Sequence, residues 1–111
     1  MALTSTVKAI SLSSFDTAGL IGGYNVINAS GLTHSCFKLR LMNASNVALG
    51  ISYDGITTHD YILADSTLTL DLQNMAGPSS YNCVMAKGTK IYITAPAAGV
   101  GSIYLAGYYQ N

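Results

Sequence analysis

In the stretch ISYDGITTHDYI, residues 51–62, Asp54, His59 and Asp60 gather around Gly55 in a chain otherwise poor in acids and histidines. Carboxylates beside an imidazole can hold a metal ion or move protons in acid–base catalysis. A metal shell drawn from Asp54, His59 and Asp60 needs further protein ligands, and the only other histidine is His34. No GxSxG elbow is present, neither Cys36 nor Cys83 stands in a nucleophile motif, and the absence of Glu leaves paired-carboxylate hydrolysis without support. The same residues also make a bend. Asp-Gly after an alternating strand signals a hairpin, because Gly tolerates positive φ, while Asp60 can accept from turn N–H groups and His59 can bond locally. The sequence therefore reads as a turn with no catalytic, cofactor-binding or metal residues, and a small hydrolase or metal enzyme using His59 is the weakest of three functional readings.

Other motifs carry as little chemistry. GLIGGYN has glycines but no following GK[ST], so it reads as a bent strand rather than a phosphate loop. The NAS sequons at Asn28 and Asn43 read as turns. Cys36 and Cys83 lie in alternating apolar segments without CxxC spacing, so two reduced core thiols are expected, with a disulfide between them as the alternative. Among the eight tyrosines, the adjacent Tyr108 and Tyr109 must point to opposite faces of a strand, so that one packs inward while the other faces a partner, the alternative being that both cap the sandwich end.

The elements that position these residues are strands. Apolar alternation at period two recurs in VKAISL, LIGGYNVI, CFKLRLM, NVALGISY, STLTLDL, NCVMA, TKIYIT and SIYLAGYY, and no window sustains helical spacing. In CFKLRLM, Phe37, Leu39 and Leu41 share one face and Lys38 and Arg40 the other. In NVALGISY the small set Ala48, Gly50 and Ser52 leaves room for something to approach closely. Turn chemistry stands at Asn28, Asn43, Asp65 and Gly88, and only QNMAGPSSY is a longer connection. The expectation is an all-β, two-sheet antiparallel sandwich of about eight strands, jelly-roll-like. Residues 1–111 form one domain, with residues 1–12 an extended N-terminal arm or edge strand.

Composition narrows the partners. Charged residues make up 9% of the 111, net charge is zero, pI is about 6.7 and mean hydropathy is +0.35, where an ordinary soluble domain carries about 25% charged residues. Copies of such a chain repel one another weakly, so much of the surface is expected to meet other protein. Lys8, Lys38, Arg40, Lys87 and Lys90 are too few and scattered for direct nucleic-acid binding. No apolar run reaches the roughly 18 residues of a membrane span, and MALTSTVKAISLSS has neither basic leader nor apolar secretory core, so a soluble chain made in the cytoplasm is expected. Leu3, Val7, Ile10 and Leu12 could add a strand to a neighbour's sheet edge.

The segments NASNVALGISYDGITTHDYILADSTLTLDL, AKGTKIYITA and AGVGSIYLAGYYQN together resemble small β-sandwich virion proteins of tailed bacteriophages. The carrying features are a strand ending in SYDG, a return through HDY, an alternating Thr/Leu strand, a KGT turn and a closing GSIYLAGYY strand. Length, charge and strand pattern are most similar to the capsid cement, or stapling, proteins of short-tailed phages. That resemblance implies a non-enzymatic decoration protein on the outer capsid surface, binding the major capsid protein, paired with itself as a homodimer, and needing no cofactor. Leu3, Val7, Ile10, Tyr108 and Tyr109 are its expected interface residues. The alternative is a tail-associated or fibre-knob module that binds a cell-surface carbohydrate through Tyr53, Tyr61, Asp54 and Asp60.

Overall fold

The strand pattern read from the sequence is realised in a computed structural model that describes residues 7–72 and 84–110. Nine strands are present among them: β1 (Val7–Ala9), β2 (Ser13–Asp16), β3 (Asn25–Val26), β4 (Lys38–Ser45), β5 (Leu49–Ser52), β6 (Asp60–Ile62), β7 (Ser66–Asp71), β8 (Tyr92–Thr94) and β9 (Gly101–Gln110). A single turn of 3-10 helix, Thr17–Gly19, follows β2 and is capped by the Asp16 side chain.

All strand pairs are antiparallel, and they nest: β2 with β9, β3 with β8, β4 with β7 and β5 with β6. Successive pairs alternate between a five-stranded sheet, ordered β1-β9-β4-β7 with β2 also on β9, and a four-stranded sheet, ordered β3-β8-β5-β6. A chain folded double and wrapped around a core in this way is a jelly roll. The expected all-β, two-sheet antiparallel sandwich is therefore the fold.

Alternation decides which side chains meet inside. Leu39, Leu41, Ile103 and Leu105 of the first sheet face Leu49, Ile51, Ile62 and Ile93 of the second, with Ile91 just before β8, and all are buried. Each such side chain contributes about 1.5–3 kcal/mol when removed from water. Cys36 is fully buried beside them, and that burial pushes its thiol pKa up, which suppresses the reactive thiolate. Cys83 lies outside the described residues, as does QNMAGPSSY.

Several local expectations change. VKAISL forms a strand only over Val7–Ala9; the chain then breaks and resumes as β2, whose SSFD has too little apolar alternation to signal itself. Both pieces pair with the long β9, bridged by the bond from Ile10 N–H to the Gly107 carbonyl (2.9 Å). LIGGYNVI is extended only at Asn25–Val26, because Gly23 adopts φ of 85° just before it. From NCVMA, Met85 contributes an isolated bridge to Cys36, and Asn82 lies outside the described residues. The HDY return, by contrast, is a strand, β6.

Asn43 is not a turn residue but lies inside β4 at 2% exposure. Its amide donates to the carbonyls of Val47 (2.8 Å) and Leu63 (3.1 Å), so it ties together turns from within the sheet. Asn28 does open a turn, closed by Gly31 N–H on its carbonyl, and its side chain is held by Thr89 and Ile91.

Candidate functional site

The acid and histidine cluster occupies the loop 53–59 between β5 and β6, with Asp60 opening β6. The strands do form a hairpin, with Ile51 opposite Asp60 and His59 N–H bonded to the Ile51 carbonyl (2.7 Å). The connection is a wide loop rather than a two-residue turn, because its amides are gathered onto side chains. Asp54 Oδ1 accepts from Ile56 N–H (2.8 Å), Thr57 N–H (2.9 Å) and the Ser52 hydroxyl (3.0 Å). Ser52 Oγ in turn accepts from Gly55 N–H (2.9 Å), with Gly55 at φ of 76°.

These bonds hold Asp54 in its ionised form. Its pKa is lowered to about 2, chiefly by the Thr57 and Ile56 amides. A carboxylate so stabilised is a poor proton donor or acceptor near neutrality. His59 is likewise engaged: Nδ1 accepts from Tyr53 N–H (3.1 Å), its ring stacks on Tyr53 at 5.4 Å, and Nε2 lies 3.8 Å from Asp54 Oδ2. Tyr53 donates its hydroxyl to Asp60 Oδ2 (2.5 Å), and burial together with that bond pushes the phenol pKa upward.

Ser, His and Asp are thus all present, but not as a nucleophilic triad. The Ser52 hydroxyl donates to Asp54 instead of His59, and Ser52 is fully buried, beyond the reach of a substrate. Among the described residues no group of three or more His, Cys, Asp or Glu side chains is arranged to hold a metal. The arrangement's chemistry is that of a self-capped loop.

What approaches the small residues of β5 is this same loop. A Cβ on Gly50 would stand 3.0 Å from the methyl groups of both Thr58 and Thr94, and one on Gly55 would stand 3.1 Å from the Tyr92 ring. Thr58 also shares a hydrogen bond with the Tyr24 hydroxyl (2.7 Å). The loop therefore lies over the outer side of the four-stranded sheet.

Because Asp54 is stabilised when ionised in the folded chain, its contribution is complete above the ordinary carboxylate pKa of about 3.9 and disappears as pH falls toward 2. Asp54→Ala is expected to speed amide hydrogen exchange at Ile56 and Thr57 at pH 7, leaving the melting transition nearly unchanged. Wild-type exchange at these amides, corrected for intrinsic rates, should approach that of the variant only near pH 2.

Of the four carbohydrate candidates, Tyr53, Asp54 and Asp60 use their polar atoms internally. Tyr61 is widely exposed, at 62%, and borders a hollow of about 340 Å³ with Ala48, Gly50, Thr58 and Thr94.

The expected interface residues separate. Leu3 lies outside the described residues. Ile10 packs against the core and fills the space beside Gly107. Tyr108 and Tyr109 do point to opposite faces: Tyr109 stacks on His34 with ring centroids 3.8 Å apart and planes within 3°, and Tyr108 accepts from Arg40 Nη2 (2.7 Å). Val7 and Tyr108 meet on the outer side of the five-stranded sheet, where with Phe37, Lys38 and Arg40 they line a hollow of about 260 Å³.

The sequence reading missed this grouping because Val7, Arg40 and Tyr108 come from three strands, joined by pairings far apart along the chain. No family model, no curated protein and no solved structure matches this chain.

Proposed function

We propose that this jelly roll is a non-enzymatic structural protein of a phage particle, a staple that binds the outside of the major capsid shell and bridges neighbouring capsomers, paired with itself. The observation that carries the reading is a sparsely charged surface of zero net charge from which large apolar side chains project, Ile56 at 80%, Val100 at 76% and Ile21 at 73% exposure. Such a skin favours burial against other protein. The acids and histidine that would otherwise suggest chemistry are satisfied within their own loop. The phage assignment rests on the resemblance over Asn43 to the C-terminus. On a lattice, a modest contact repeated at many sites holds firmly by raised effective concentration.

The test is titration of the purified chain onto empty capsid shells. Saturation at a fixed ratio to the capsid protein is expected, with no sugar retained on a glycan array. The exposed Tyr61 ring supports the alternative, a carbohydrate-binding virion module. In that case the chain binds a glycan, Tyr61→Ala abolishes the binding, and the shells take up none.

A further inference from the structure

We infer that the outer face of the five-stranded sheet is the surface that meets the capsid protein, and that Arg40 anchors it by receiving a carboxylate side chain from that partner. This rests on the shell-binding reading and names the contact within it.

The outward side of β4 carries Lys38, Arg40 and Met42, all half-buried. Lys38 stands opposite Asp71 of β7 and Tyr108 of β9; Arg40 stands between Thr69 and Ala106. The central guanidinium therefore has a hydroxyl neighbour on one side and a methyl group on the other. Among the described residues no carboxylate comes within 4 Å of it. Its Nη2 donates to the Tyr108 hydroxyl, and its central carbon lies 5.8 Å from the centre of that ring. Nε is buried and has no hydrogen-bond partner among the described residues.

A guanidinium partly stripped of water without a matching anion is an unfavourable arrangement in the free chain. It becomes favourable when a carboxylate seats on the terminal nitrogens in the paired geometry that guanidinium and carboxylate share. The surroundings fit that occupant. Val7 and Phe37 supply apolar walls to the hollow, Lys38 adds a positive charge at its edge, across the sheet from Asp71, and Tyr108 holds the guanidinium in place. Arginine and tyrosine at the centre of an apolar patch are the residue types that dominate protein–protein affinity. The face therefore selects an acidic side chain flanked by apolar residues, presented by a protein surface.

The experiment is shell titration with wild type, Arg40→Met, Arg40→Lys and Tyr61→Ser. Arg40→Met keeps the aliphatic stem and removes the unpartnered Nε, so the variant is expected to melt at or above the wild-type temperature. Its affinity for shells should fall about 30-fold, the size of a central anchor residue's loss. Arg40→Lys should recover only part of this, because an ammonium cannot make the paired contact. Tyr61→Ser, on the other sheet, should bind as wild type.

Binding by Arg40→Met within twofold of wild type overturns the inference while leaving the staple reading intact. Lost self-association with unchanged shell affinity also overturns it, since the face would then meet a second copy. If the wild type itself ignores shells, the staple reading fails and this contact falls with it.

Discussion

Gly101→Ala is expected to destabilise the fold by about 2–6 kcal/mol, combining backbone strain with overpacking. Gly101 begins β9 at φ of 111°, and an added Cβ would lie 2.3 Å from the Ala44 carbonyl oxygen and 2.8 Å from Ser45 Cα. The backbone of β4 occupies that space, so no side chain can rotate away. The Gly101 carbonyl also accepts from the fully buried Thr17 hydroxyl (2.8 Å), which couples the clash to the turn after β2. Against a total stability of roughly 5–15 kcal/mol, the variant should melt on the order of 10–20 °C below wild type. Gly22→Ala is the matched control. A Cβ there meets nothing within 4 Å, and a change within about 0.5 kcal/mol is expected. Equal melting temperatures for Gly101→Ala and wild type would show that β9 does not enter the sheet in this conformation.

Asn43→Leu is expected to cost about 3–5 kcal/mol in urea unfolding, because it strips partners from several buried backbone groups at once. Asn43 Nδ2 serves the Val47 and Leu63 carbonyls, while Oδ1 accepts from Ser45 N–H (3.1 Å) and the Ser45 hydroxyl (2.5 Å). One amide thus links the β4–β5 turn to the β6–β7 connection. Asn43→Asp separates hydrogen bonding from packing. It keeps the acceptor but faces two carbonyls with an oxygen that can carry charge, so its folded-state pKa should rise above the unfolded value. Stability of that variant relative to wild type should therefore be better below about pH 4 and worsen as pH climbs through the raised pKa. A pH-independent difference would show that the amide does not bridge these carbonyls.

Period-two alternation was enough to place β4, β5, β7 and the long β9, because each has one face in the core and its side chains say so. It failed at β2, where Phe15 is the only apolar side chain and pairing with β9 supplies the order. The Gly50 gap was legible as a close approach, but not that the occupant would be Thr58 of the following loop. Asp54-Gly55 announced a bend; the amides that collect on Asp54 made it wider than the two-residue form. The Arg40 hollow was invisible for a different reason. Its neighbours Thr69, Ala106 and Tyr108 are set by sheet register, which no local stretch of sequence encodes. Val7 and Tyr108 could be singled out as apolar or aromatic at the chain's ends, yet the charge between them belongs to a central strand.

The most direct measurement of the central claim, that this weakly charged jelly roll exists to be covered by capsid subunits, is the number of chains bound per capsid protein as purified protein is titrated onto empty shells. A plateau at one small-integer ratio, reached reversibly and unchanged by further protein, is the predicted result. Uptake that never saturates, or none while the chain remains a monomer at high concentration, would contradict it.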